Sequence, residues 1–282
     1  MAVKSVKFHR RNQFFNWRVE LAEEINLIDT HIHFALDYGY NFDIVEALIN
    51  RAKEHNVGFA INIAEGSRLF PGAVALADRF VEVYTTLGLA PTVANNWRQQ
   101  DLELLRSYLK RPKVVALGEV GLDYGSNPSS KEKSSQLELL DCQLDLAVEH
   151  KLPIIITHPT PLADLLAVLR SKNLDKLDGV ICNFAGTEPT IKELLEAGFY
   201  ISYSSWLINS PKLQELARTV PLSNALLGTG CPHLLPPASK RLPYSEPASV
   251  IHTAKFLAKL MDLPLEQVSQ TTTENAKRLF KI

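Results

Sequence analysis

What this sequence lacks narrows it first. No apolar run approaches the roughly 20 residues that a membrane-crossing helix needs, although 46% of the 282 residues are hydrophobic. Neither sign of charge dominates, since 30 Lys and Arg stand against 31 Asp and Glu. No overall field therefore draws the chain to nucleic acid or to an anionic membrane, and any such contact has to be local. Cysteine is scarce and scattered, at Cys142, Cys182 and Cys231. An odd, widely spaced set excludes a disulfide framework and fits a reducing compartment, so the expected location is cytoplasmic. Residues 1–25 hold no continuous apolar segment and do not read as a secretory leader. They are basic and aromatic, with Arg10, Arg11 and Arg18 around Phe14, Phe15 and Trp17. We expect an N-terminal extension whose short helix packs its aromatics over one end of the domain. No Pro-, Gly- or Ser-rich linker divides residues 26–282, which are expected to form one domain.

What is present is a repeated alternation. Apolar runs of about five residues are followed by stretches of helical period, the pattern of βα units. Eight strands are expected, at "INLIDT", "VGFAINI", "GLAPTVA", "VVALGEV", "LPIIIT", "GVICNF", "FYISYS" and "NALLGT". Between the fourth and fifth, Leu137, Leu140, Leu144, Ala147 and Val148 recur at helical spacing and predict one buried stripe. Two further helices are expected in "ASVIHTAKFLAKLM" and "LEQVSQTTTENAKRLF". The fold class that follows is α/β, a single-domain (β/α)₈ TIM barrel with extra C-terminal helices, with an open doubly wound sheet as the alternative.

In such a barrel, chemistry sits at the C-terminal ends of the strands. The first expected strand ends in "IDTHIHF", and its period of two puts His31 and His33 on the same side, a spacing suited to sharing one ion. Alone, the pair also reads as hydrogen-bonded or surface histidines. Glu119 closes strand four, His158 closes strand five, and Cys182 lies near the end of strand six. All are metal-ligand types: imidazole and thiolate suit zinc, and a carboxylate can bridge two ions. Each has a bland reading as a salt-bridged carboxylate, a core histidine or a small buried thiol. Their gathering at one end of one barrel favours a site.

These motifs also carry a resemblance. The run "LIDTHIHF", the turn "LGEVGLDY", the helix leading into "LPIIITH", the strand "GVICNFAG", the step "SEP" and the terminal "TENAKRLF" resemble the TatD family of metal-dependent deoxyribonucleases, within the amidohydrolase-type barrels. The likeness runs in order from about Asn26 to Phe280. It implies one or two divalent ions (Zn, Mg or Mn) at the barrel mouth and phosphodiester hydrolysis, often from a 3′ end. It also implies nucleic acid as the partner and no membrane. His31, His33, Glu119 and His158 match the family's ligand pattern, with Glu119 and His158 in the catalytic role.

Other positions depart from that pattern. Cys182 stands where the family has a histidine; thiolate favours zinc over magnesium, or the position has ceased to bind. The family's Glu-Thr-Asp-small-Pro reads "GTGCP", with Gly228 and Gly230 replacing both carboxylates, one of them a ligand and general base. Cys231 or His233 could lean in from that loop, and we read His233 as a loop residue. The family's His-Pro-His turn is "PTVANNW", and Thr160 replaces a phosphate-suited arginine. Arg68, Arg98, Lys131, Lys133, Lys240 and Arg241 lie in expected mouth loops, as substitute phosphate contacts or as solubilising surface. Three functions follow: a weakened nuclease-like hydrolase, an inactive barrel that keeps one structural ion or none and works as a binding or regulatory component with a protein partner, or a one-metal hydrolase of a lactone or amide.

Overall fold

The run "GVIC" is buried from end to end and "VGFAINIAE" throughout Ala60–Ala64, as strands covered on both faces must be, and parallel pairing is what allows it. The computed structural model describes residues 26–36, 39–172, 177–182, 184, 186–233 and 244–282, apart from the side chains at 158–160. Its strands are β1 (Leu27–Ile32), β2 (Val57–Glu65), β3 (Val83–Gly88), β4 (Val114–Asp123), β5 (Ile154–Thr160), β6 (Gly179–Cys182), β7 (Tyr200–Tyr203) and β8 (Ala225–Leu227). They pair in parallel in sequence order, and an isolated parallel bridge between Ile32 and Cys231 joins the ends of β1 and β8. That bridge closes the sheet into the expected barrel.

Helices α1 (Phe42–Glu54), α2 (Phe70–Arg79), α3 (Gln99–Tyr108), α4 (Ser130–His150), α5 (Leu162–Ser171) and α6 (Glu188–Glu196) follow β1 to β6 in turn, and α7 (Trp206–Asn209) and α8 (Pro211–Ala217) both follow β7. The chain then ends in α9 (Val250–Met261) and α10 (Leu265–Phe280). Among the described residues no helix is long and apolar enough to cross a membrane. The main core lies between strands and helices. A second cluster fills the barrel interior, where Ile28, Ile61, Val115, Ile155 and Leu226 meet Leu279 and Phe280 of α10. The last helix thus plugs one end of the barrel and leaves the other for chemistry.

Two expectations need correction. The third strand is Val83–Gly88, and the expected "GLAPTVA" instead turns through a short 3₁₀ helix at Pro91–Val93. Thr85 and Thr86 made the true strand look polar, but both are buried, their hydroxyls donating to Asn62 O and Gly118 O. In α4 the buried face contains Leu140, Leu144 and Ala147 as expected, but also Gln136 and Gln143. Gln143 donates to Leu89 O and accepts from Leu89 N, tying the helix to the exit of β3.

Irregularities in two strands aim the site. Between Asp29 and Ile32, β1 runs three residues against two of β2, and at Glu119, β4 runs two residues against one of β5. Such bulges bend a strand and redirect side chains. In β1 the extra residue changes the phase of alternation, so Ile28 packs in the interior below while His31 faces the mouth above. Beside the second bulge, a Cβ on Gly121 would lie 2.3 Å from Thr157 O, so only glycine allows β4 and β5 to approach this closely.

Candidate metal centre

The end of β1 and the middle of β4 bring three donors together; Glu119, expected to close strand four, lies within it, and the strand runs on to Asp123. His31 Nε2 stands 3.0 Å from His33 Nε2 and 3.9 Å from Glu119 Oε1, and all three donor atoms lie within 4.8 Å of one another. Four donors held tetrahedrally at zinc–nitrogen distances would be about 3.3 Å apart, so the spacing suits one divalent ion. The chemistry of the set agrees, since two imidazoles and a carboxylate serve zinc or manganese well. Burial, with His31 and His233 nearby, holds His33 well below the usual histidine range. Its ring is therefore neutral at ordinary pH, with a lone pair to offer.

His31 is fixed from several sides. Its Nδ1 lies 3.3 Å from Cys182 Sγ, its backbone N–H donates to Asp29 Oδ1, and its carbonyl accepts from Gly230 N. Nδ1 and Nε2 face opposite sides of the ring, so Cys182 sits behind His31 and outside the donor trio. Burial, and then the charge of Glu119, push the Cys182 thiol well above its ordinary range, which keeps it protonated. All three cysteines are free thiols.

Asp29, in the same motif, also stands outside the trio. It is fully buried, and its carboxylate accepts from Thr229 N, from Thr229 Oγ1 at 2.6 Å and from His31 N. Burial dominates those hydrogen bonds and pushes its pKa up to about 7. Asp29 therefore clamps the β8 exit loop to β1. Sequence reading missed this role, because the clamp spans 200 residues and exists only once the barrel closes.

The remaining expected residues are spread around the mouth. Arg68 and Arg98 are exposed in the loops after β2 and β3, and Lys131 is exposed in the first turn of α4. None belongs to the donor cluster. Lys133 lies over the Tyr124 ring at 5.4 Å. The backbone of His158 lies in β5, while its side chain, that of Thr160, and residues Lys240 and Arg241 lie outside the described residues, as does the extension 1–25. Two further residues enter the mouth region, His233, weighed in sequence and read as a loop residue, and Trp206, which was passed over. The His233 ring is 5.7 Å from that of His33, and Trp206, 49% exposed, follows β7. A histidine three residues beyond Gly230 was the available signal for the first.

Residues 28–281 match the family described as TatD related DNase. The chain belongs to that family. Among TatD relatives, the Bacillus subtilis protein YabD, named an uncharacterized metal-dependent hydrolase, is 31% identical over 260 residues, covering 91% of this chain and 99% of its own. The Citrobacter rodentium protein named 3′-5′ ssDNA/RNA exonuclease TatD is 30% identical over 243 residues, covering 82% of this chain and 90% of its own. The crystal structure of the Escherichia coli TatD homologue YJJV superposes with a TM-score of 0.83 at 27% identity, covering 92% of this chain and all of that one. At Gly228 and Gly230 the local geometry is particular. A Cβ on Gly228 would lie 2.7 Å from His31 Cβ, and Gly230 has a φ of 64°, in the left-handed region.

Proposed function

We propose that this TatD-family chain is a metal-dependent hydrolase that cleaves nucleic-acid phosphodiesters at strand ends, with activity reduced by the loss of a carboxylate at Gly230. The observation that carries this reading is the convergence of His31 Nε2, His33 Nε2 and Glu119 Oε1 at the C-terminal mouth of a closed barrel. His31, His33 and Glu119 would hold one ion, with His158 completing the set from β5. A divalent ion there, zinc or manganese in preference to magnesium, would supply Lewis-acid polarisation of a phosphodiester and activation of water. Glu119 and His158 would be the acid–base groups beside that ion. Arg68, Arg98 and Lys131 supply positive charge around the mouth, in place of the arginine replaced by Thr160, and Lys240 and Arg241 add to it. The unpaired thiols support work in a reducing compartment, the cytoplasm.

A second reading draws on Gly228 and Gly230: a barrel that keeps an ion but no longer turns over and instead binds a partner. The tight approach of Gly228 to His31 supports it, since a carboxylate could return there only if β1 shifted. The two separate on one assay. The hydrolase reading expects manganese- or zinc-dependent release of nucleotides from single-stranded DNA that is lost in His31→Ala and in Glu119→Ala. Metal binding with no cleavage above those variants would favour the second.

A further inference from the structure

Gly230 offers no side chain to the ion that His31, His33, Glu119 and His158 would hold. Nearby alternatives are committed elsewhere. The Asp29 carboxylate is taken by Thr229 and the His31 backbone, Cys182 lies behind His31, and Cys231 packs with Ile32, Phe34 and Val45 away from the mouth. The loop after β8 nevertheless delivers a donor. Gly230 N donates to His31 O, His33 N donates to Cys231 O, and His233 N donates to Gly230 O. The first two bonds stitch the loop along the end of β1, and the third folds it back, so that His233 comes to lie beside His33.

We propose that His233 is a metal ligand that replaces the carboxylate missing at position 230, a role that rests on the metal-centre reading above. Two imidazoles bound to one tetrahedral ion have ring centres about 5.2 Å apart, from the zinc–nitrogen distance and the ring radius. The His31–His33 pair stands at 4.9 Å with planes 63° apart, and the His33–His233 pair at 5.7 Å with planes 60° apart. His233 thus continues the array at nearly the same spacing. Its nitrogens stand outside the cluster within 4.8 Å, so one side-chain rotation has to bring a donor in. The residue is exposed on a turn, where staggered rotamers interconvert at little cost. The donor missing at position 230 would in this way be replaced by an imidazole beside His31, His33, Glu119 and His158, offset by a turn of backbone.

Cobalt(II) titration of the chelator-stripped full chain tests this by visible absorption and by competition with a chelator. The wild type should take up cobalt with a d–d spectrum, and His31→Ala should lose it. His233→Ala should weaken binding at least tenfold and change the d–d bands, with added imidazole restoring both. His233 is exposed, so the variant should keep the wild-type melting temperature. Equal affinity and an identical spectrum in wild type and His233→Ala would overturn the His233 assignment while leaving the trio intact. Failure of the wild type to bind cobalt, or binding indifferent to His31→Ala, would overturn the metal-centre reading itself.

Discussion

At the scale of single residues, the site depends on groups that never touch an ion. Asp29 and Thr229 hold β8 against the strand that carries both histidines, and Thr229 Oγ1 also accepts from Cys231 N. Thr229→Val keeps the shape and removes both bonds, leaving buried partners unsatisfied. It should destabilise the protein by about 2 kcal/mol in urea unfolding. His252 in α9 provides a pH test away from the mouth. Burial, with Lys255 and His55 nearby, holds it below the ordinary histidine range. Below about pH 6.5 the unfolded chain therefore binds a proton that the native state resists, so stability is lost as the pH falls through that value towards the native pKa. His252→Gln removes this contribution, and its urea midpoint should drop less than the wild type's between about pH 7.5 and 5.5. His31, His33 and Glu119 were legible in sequence because a strand-end motif and a resemblance both marked them. The clamp by Asp29 was not, since its partner Thr229 comes from the far end of the chain, and His233 was read only as a loop residue.

At the scale of elements, the alternation of apolar runs and helical periods was enough for seven strands and for α4, α9 and α10, but not for β3. Its threonines are buried and satisfied by neighbouring backbone, an arrangement that hydrophobic pattern alone reads as loop. Gln143 is the same kind of case on a helix, a polar side chain on the buried face that completes the backbone bonds of Leu89. Gln143→Leu would better suit the apolar stripe yet leave Leu89 N and O unpaired. It should cost about 3 kcal/mol in chemical denaturation. A variant as stable as the wild type would mean that the α4–β3 tie is dispensable.

At the scale of the whole molecule, closing the barrel and assembling the mouth are one event. The bridge between Ile32 and Cys231 joins the two ends of the sheet and sets the loop of Gly230 and His233 beside His31 and His33. Balanced charge leaves attraction of a polyanion to local groups at that mouth. Fold and family were legible along nearly the whole chain, whereas the chemistry of the mouth was not, because it turns on where a few side chains meet. The decisive measurement is therefore metal content per chain by elemental analysis of protein purified without chelator, beside His31→Ala. Near-stoichiometric zinc or manganese in the wild type, absent from the variant, is the expected result. A wild type that stays empty after loading with either metal would contradict a working centre at His31, His33 and Glu119.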